Sequence, residues 1–171
     1  KMNDILKEAQ LENEKLLSNM KTIMLSTVSK NGIPNVSYAP SAIDSDKNFY
    51  IYISNLSKHS RNLKEFPKSS IMIIEDEKDS ENIFGRKRLT LDVEVENIKR
   101  DSDLWNAKIK LLEDKYSETM SFLVKLTDFN LFKLIPTNGL LVYGFGKAFK
   151  YVDGKLIKPK HINNGGHTKK K

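Results

Sequence analysis

The clearest pattern in the chain is a strict alternation of apolar and polar residues that starts at Leu89. The odd positions from Leu89 to Val95 are apolar, and the even positions from Thr90 to Glu96 are polar or acidic. Because successive side chains of a strand point to opposite faces, this period of two predicts a long, half-buried strand within residues 84–98.

Shorter apolar runs bounded by turn residues predict the other strands. Residues 22–29 and 35–43 flank Lys30-Asn31-Gly32, and Asn-Gly readily takes the positive φ of a hairpin turn. A continuous apolar run over residues 70–75 predicts a strand that is buried on both faces. Further strands are expected at residues 49–54, 129–136 and 140–151, the last two joined by a turn at Thr137-Asn138-Gly139.

Apolar residues at helical spacing predict three helices, over residues 3–20, 57–66 and 101–116. In the last of these, a core-facing stripe repeats at intervals of four, three and four from Trp105 to Tyr116. Strands that follow one another through tight turns favour antiparallel pairing. The predicted class is therefore α+β, with an antiparallel β-barrel and a few flanking helices.

Charge divides the chain into a nearly neutral part and a basic end. The 171 residues carry a net charge of +7, but six lysines and no acid follow Gly154, so residues 1–154 carry only +1. We therefore predict a single domain over residues 1–154 and a flexible basic tail over residues 155–171. A nucleic-acid-binding domain would more often spread its basic residues over a folded face, which argues against that class.

Composition excludes several other classes. The chain has no cysteine, which rules out disulfides, thiolate zinc sites, iron–sulfur clusters and a cysteine nucleophile. No apolar run is long enough to span a bilayer, and the first residues contain no apolar signal core. These features predict a cytoplasmic protein without a membrane span.

The residues available for catalysis are few. Three histidines without helical pairing do not predict a hydrolytic metal centre, and Gly144-x-Gly146 lacks the third glycine of a dinucleotide fingerprint. Heme, in contrast, needs only one histidine ligand. Arg86 or Arg88, at the entrance of the alternating strand, could donate a hydrogen bond in such a site or pair with a heme propionate. On these residues alone, an exposed tail histidine remains the commoner situation.

Several motifs together are similar to a known family. Residues 22–28 and 32–37 resemble the first hairpin of the pyridoxamine-5′-phosphate-oxidase-like split barrel. Four further stretches resemble the HugZ/HutZ-type bacterial heme oxygenases within that superfamily. These stretches are His59-Ser60-Arg61-Asn62-Leu63, Phe84-Gly85-Arg86-Lys87-Arg88-Leu89, Thr127-Asp128-Phe129-x-Leu131 and Gly144-Phe145-Gly146-Lys147-Ala148. Gly85 departs from the small residue, often alanine, that the family would lead us to expect.

The resemblance implies a homodimer of split barrels with heme at or near the dimer interface. The proximal iron ligand of the family matches His167 best, with His161 as the rival, and the distal arginine matches Arg88. Arg86 would face a propionate or solvent. Asp128 matches an acidic residue that hydrogen-bonds the proximal histidine.

The implied activity is heme degradation for iron acquisition. Heme would be both cofactor and substrate, O2 and an external reductase would be the partners, and a biliverdin-type product, carbon monoxide and iron would be released. Two alternatives stay open at this stage. One is an FMN-binding oxidoreductase in which residues 59–62 and the arginine strand bind phosphate, and the other is a non-catalytic heme-storage protein.

Overall fold

The computed structural model describes residues 1–157, including every side chain there except that of Met2. This part of the chain forms three α-helices and nine strands. The helices are α1 (Met2–Asn19), α2 (Lys58–Glu65) and α3 (Asp103–Leu123). The strands are β1 (Thr22–Val28), β2 (Pro34–Pro40), β3 (Ala42–Ile43), β4 (Phe49–Ser54), β5 (Lys68–Ile74), β6 (Arg88–Ile98), β7 (Phe129–Gly144), β8 (Lys147–Val152) and β9 (Lys155–Ile157). Two 3-10 turns, Glu77–Asp79 and Ile83–Gly85, lie between β5 and β6.

All neighbouring strands pair antiparallel, as the tight turns in the sequence predicted. The main path through the sheet is β2-β1-β5-β6-β7-β4-β3. Its first and last strands, β2 and β3, are separated along the chain by Ser41 alone. The sheet therefore returns on itself at this residue, and the barrel closes there.

Ser41 is the seam of the barrel and is held by several hydrogen bonds. Its side chain is fully buried, and its hydroxyl donates to the Tyr50 carbonyl at 3.1 Å. The Tyr116 hydroxyl lies 2.8 Å from the Ser41 carbonyl and also contacts the Lys21 carbonyl, and Lys115 Nζ donates to the Ser41 carbonyl at 2.7 Å. Burial raises the pKa of Tyr116. Helix α3 therefore fixes the point at which β2 becomes β3.

We expect Tyr116→Phe to lower the free energy of unfolding by about 0.5–1.5 kcal/mol, because it removes the hydroxyl that hydrogen-bonds the Ser41 and Lys21 carbonyls. Urea denaturation monitored by circular dichroism would measure the change. Tyr38→Phe is the matched control, since Tyr38 is 63% exposed and its hydroxyl makes no hydrogen bond within residues 1–157. Equal stability of the two variants would show that the Tyr116 hydroxyl does not hold the seam.

The predicted turn at Thr137-Asn138-Gly139 is wrong, because β7 runs through it without interruption for 16 residues. Leu91 pairs with Gly139 and Val93 with Pro136, so two residues of β7 face Asp92 alone in a β-bulge. The actual turn between β7 and β8 comes later, at Gly146, whose φ is +73°. Bulges and turns favour the same small polar residues, and this shared preference caused the error.

The bulge also marks the place where the sheet divides. Before it, β7 pairs with β4 through residues 129–134; after it, β7 pairs with β8 through residues 138–144. Strand β6 accompanies β7 on both sides of the bulge. Strand β9, which starts one residue after the predicted domain boundary, pairs with β8. The division into a domain and a tail stays a prediction.

Two apolar clusters make up the core. One fills the barrel and is joined by the buried stripe of α1, and the other lies between α3 and the opposite side of β4. Tyr50 and Tyr52 of β4 therefore face α3, while Phe49 and Ile51 face the barrel. Burial on both faces was predicted for residues 70–75, but it occurs in β4. In β5 only alternate residues, such as Ile71, are buried, because no helix of residues 1–157 covers the other side.

The three predicted helices are confirmed, with shifted ends. Helix α2 is capped by Ser57, whose hydroxyl accepts from the Ser60 N–H. Helix α3 continues to Leu123, seven residues beyond the predicted end, through a kink at Ser117 with φ 42° and ψ −113°. Helices α1 and α2 pack at opposite ends of the barrel, so neither covers its outer wall.

Candidate functional site

The outer wall formed by β2, β1, β5, β6, β7 and β8 is a largely apolar surface, which we call the outer sheet face. One row of cross-strand neighbours on it consists of Tyr38, Met24, Met72, Thr90 and Leu140. The next row consists of Ile74, Arg88, Val142 and Ala148. Because these residues share the outward parity of their strands, they form one continuous patch.

In the described part of the chain, three residues of the first row are exposed and the residues of the second row are half-buried. Tyr38 is 63% exposed, Met24 43% and Leu140 40%. A contiguous apolar surface of this kind on a soluble domain marks a place where another molecule binds. Sequence analysis missed it, although residues 23–25 are apolar at both parities, which is a signal that both faces of β1 meet apolar partners.

Arg88 is the cation within this apolar surface. It lies between Ile74 and Val142 on the neighbouring strands, and its Nη1 donates to the carbonyl of Arg86 at 2.8 Å. Among residues 1–157 it has no carboxylate partner. A guanidinium group remains charged at all physiological pH values and presents several donors in one plane. The outer sheet face therefore combines an apolar surface with an available anion-binding group.

The two cations that precede Arg88 are already paired. Arg86 Nε donates to the Glu75 carbonyl at 2.7 Å, and its Nη1 lies 3.3 Å from Glu77 Oε1. Lys87 Nζ lies 2.8 Å from Glu12 Oε2, and this contact lowers the pKa of the Glu12 carboxyl. These two side chains attach the start of β6 to the segment that follows β5 and to α1. Arg88 alone of the three is left to act on a ligand.

Gly85 positions this entrance against the β7–β8 turn. A Cβ at Gly85 would lie 2.6 Å from the backbone nitrogen of Phe145. The alanine expected from the family therefore does not fit this backbone, and glycine is required. Phe84 and Phe145, the aromatic residues of the two touching segments, are 83% and 66% exposed.

Asp128 does not lie near Arg88 within one chain. It is exposed and comes immediately before the first residue of β7, where its carbonyl accepts from the Asn55 N–H at 2.7 Å. Arg88 pairs with Val142, close to the other end of that 16-residue strand. At about 3.3 Å per residue, the 14 residues between positions 128 and 142 correspond to roughly 46 Å along the strand. The predicted site residues therefore fall at opposite ends of the β6–β7 ribbon.

His59 has a structural hydrogen bond. Its Nδ1 lies 2.8 Å from Ser37 Oγ, and burial lowers the pKa of the imidazole below 6.5. The arrangement joins α2 to β2. This contact gives His59 a structural role.

We expect the free energy of unfolding to decrease as the pH falls below about 6.5, partly because of His59. The unfolded imidazole binds a proton near its ordinary pKa, whereas the folded one resists protonation until a lower pH, so the unfolded state gains protons first. The contribution of the neutral His59 side chain to the free energy of unfolding is fully present above pH 6.5 and is lost as the pH falls below it. Urea denaturation at several pH values between 5 and 7.5 should show a smaller slope for His59→Gln than for the unchanged protein. An identical slope would contradict this assignment.

His161 and His167, the predicted iron ligands, lie outside the described residues. Within residues 1–157 there is no group of three or more His, Cys, Asp or Glu side chains arranged to hold a metal ion. No helix in that part of the chain has the length and apolar character needed to cross a bilayer.

Comparison with known proteins defines the class. The pyridoxamine 5′-phosphate oxidase family matches residues 10–143. Heme oxygenase HutZ of Vibrio cholerae serotype O1 is 41% identical over 145 residues, which are 85% of this chain and 82% of that protein. The chain therefore belongs to the pyridoxamine-5′-phosphate-oxidase-like split-barrel family, in its HugZ/HutZ-type group.

Solved structures agree with this placement. The crystal structure of HutZ from Vibrio cholerae, described as the heme storage protein, has a TM-score of 0.72 and 39% identity, and the match covers 75% of this chain and 89% of that one. The crystal structure of Campylobacter jejuni ChuZ has a TM-score of 0.83 and 27% identity, over 95% of this chain and 66% of that one. The predicted α+β split barrel is confirmed.

Proposed function

We propose that the chain is a cytoplasmic heme oxygenase that opens the porphyrin ring for iron acquisition. The observation that carries the proposal is the position of Arg88, whose guanidinium has no carboxylate partner among residues 1–157 and lies within an apolar sheet face. A porphyrin presents a large apolar surface and anionic propionates, so the chemistry of this face fits heme. The 41% identical relative named heme oxygenase HutZ supports the same substrate.

The residues have distinct roles in this proposal. Heme, when bound, supplies the iron that activates O2 and is itself the ring that is cleaved to a biliverdin-type product, carbon monoxide and iron. His167 holds the iron, with His161 as the rival ligand. Asp128 accepts the second ring N–H of that histidine, which fixes its tautomer and strengthens its donation. Arg88 would donate hydrogen bonds to anionic groups of the bound ligand.

The site is shared between two copies of the chain. Arg88 and Asp128 are too far apart in one chain to act on a single small molecule, and the outer sheet face is open in residues 1–157. Stacking two such faces about a two-fold axis covers the apolar rows of both copies. It also permits Arg88 of one copy to approach the Asp128 end of the other. An external reductase supplies the electrons.

Mixing two inactive variants tests the shared site. Arg88→Ala and His167→Ala each lack one group of the site. If the groups come from different subunits, a mixed dimer contains one intact site. After unfolding and co-refolding of an equal mixture, we expect about a quarter of the activity of the unchanged protein, because half of the dimers are mixed and each has one of its two sites intact. No recovery above the separate variants would mean that both groups come from the same subunit.

The second candidate is heme storage, which the description of the HutZ crystal structure as a storage protein favours.

Heme titration followed by ascorbate under air distinguishes heme oxygenase activity from heme storage. Heme oxygenase activity predicts a sharp Soret band that then decays while bilin absorbance and carbon monoxide appear, and Arg88→Ala should slow this decay by about a hundredfold. Arg86→Ala, whose side chain is paired with Glu77, is the matched control and should retain most of the rate. A Soret band that persists without bilin would establish storage, and flavin bands in the purified protein would favour an FMN-binding oxidoreductase.

A further inference from the structure

Arg100 is a half-buried cation that forms no ion pair with a carboxylate of residues 1–157. Its Nη1 donates to the Tyr52 hydroxyl at 3.2 Å, and its Nη2 donates to the Val124 carbonyl at 2.7 Å. The guanidinium group also lies over the Trp105 ring, 5.1 Å from its centroid. None of these contacts supplies a negative charge. Because charges removed from water are usually paired, we expect an anion from outside residues 1–157 at this position.

One donor of the guanidinium group remains available to such an anion. Nε of Arg100 makes no hydrogen bond within residues 1–157, and it is not fully buried. Its N–H can therefore donate to a molecule that arrives from solvent. The contacts of the two Nη atoms already fix the orientation of the group, so little side-chain freedom is lost when an anion binds.

Arg100 lines a cavity of about 360 Å³ at the end of the β6–β7 ribbon. The wall also contains Asn97 and Lys99, which are exposed, and Phe129, which is half-buried. Both charged side chains of the wall are cations, and no acid of the described residues lines the cavity. A volume of this size lies at the lower limit for small-molecule sites.

We propose that this cavity binds a small molecule in which an oxyanion, a phosphate monoester or a carboxylate, is attached to a planar apolar body. The Nε–H of Arg100 would donate to one oxygen of the anion, and Lys99 would neutralise further charge. The amide of Asn97 is close enough in the same wall to add a hydrogen bond. The planar body would lie beside the accessible part of Phe129.

This site is separate from the outer sheet face. Arg88 is the first residue of β6, and Arg100 follows the end of that strand. At about 3.3 Å per residue, the 10 residues from Arg88 to Ile98 alone correspond to roughly 33 Å. The proposal therefore does not depend on heme binding, and it is tested on heme-free protein.

The single tryptophan of the chain reports on this cavity, because Trp105 lies directly against Arg100. Phenyl phosphate, benzoate and the uncharged benzyl alcohol are each titrated into the heme-free full chain at constant ionic strength. We expect at least one of the two anions to change the Trp105 fluorescence saturably and to shift the amide NMR signals of Lys99 and Asn130. The tighter anion identifies the preferred oxyanion, and benzyl alcohol should bind about tenfold more weakly than it.

Two variants of the cavity test the role of its cations. Arg100→Met keeps a long side chain over Trp105 and should weaken binding of the tighter anion by about tenfold. Lys99→Gln should weaken it by about threefold, since an exposed charge contributes less. Lys110→Gln is the matched control, because this exposed lysine of α3 is paired with Asp114 and does not line the cavity. Its affinity should equal that of the unchanged protein.

Absence of a saturable change with both anions would mean that Arg100 only anchors α3, and it would overturn the proposal. Equal affinities for the tighter anion and benzyl alcohol would also overturn it, because the cations would then play no part in recognition. The same conclusion follows if Lys99→Gln and Lys110→Gln have equal affinities. If circular dichroism shows that Arg100→Met does not fold, this lysine pair decides alone.

Discussion

Replacing His167 by alanine should lower the affinity for heme by about a hundredfold, because the proposed site loses its iron ligand while its apolar contacts remain. The Soret band of the complex should broaden and move towards that of free heme. Titration of heme into the variant, followed by absorbance, measures both effects. The loss should appear in binding itself and not only in the rate of ring opening.

His161→Ala is the matched control, since it removes a histidine from the same basic segment and leaves the net charge at neutral pH unchanged. We expect its heme affinity to stay close to that of the unchanged protein. If heme binding survives His167→Ala and is lost in His161→Ala, the ligand is His161. Asp128→Asn, which removes the negative charge behind the ligand, should weaken binding by about tenfold.

Gly139→Ala should be the most destabilising single-methyl substitution in the barrel. The added Cβ would lie 2.2 Å from the Thr90 carbonyl oxygen and 2.7 Å from Leu91 Cδ2. Because the first of these atoms is backbone in a paired strand, relief requires β6 and β7 to separate at the bulge. We expect a loss of about 3 kcal/mol in the free energy of unfolding and a fall of roughly 6–12 °C in Tm. Differential scanning calorimetry would measure it.

Gly144→Ala provides the comparison on the same strand. Its nearest neighbour would be Lys147 Cδ at 3.3 Å, the middle of a flexible side chain that can move away. We expect the free energy of unfolding of this variant to fall by less than about 1 kcal/mol. If the two variants were equally stable, close approach of β6 and β7 at the bulge would not explain the glycine at position 139.

The sequence contains enough information to place most strands, because their alternation depends on local geometry. Strand β6 was predicted from the parity of residues 89–96 alone, and the family motifs led from there to the split barrel. Coverage of a strand by distant elements is not local, which is why residues 70–75 were predicted to be buried on both faces. The apolar residues Met72 and Ile74 belong to the outer sheet face, where they are only partly buried.

The candidate site was predictable in its residue types more than in its arrangement. Arg88 was identified from its position at the entrance of β6. Arg88 is far from Asp128 because β7 is one continuous strand. The Asn-Gly pair at the bulge resembles a turn signal, so the sequence pattern predicted two strands there instead.

The seam at Ser41 also protects the protein against self-association through strand addition. An open sheet ends in strands whose unpaired backbone groups can pair with another chain. Here the two end strands, β2 and β3, each pair with one neighbour only, and the residue that joins them, Ser41, is fully buried and bonded to α3. The third strand with a single partner in residues 1–157 is β9, which is three residues long and begins with Lys155. Release of α3 from the seam should therefore expose the edges of β2 and β3 and favour pairing with another chain.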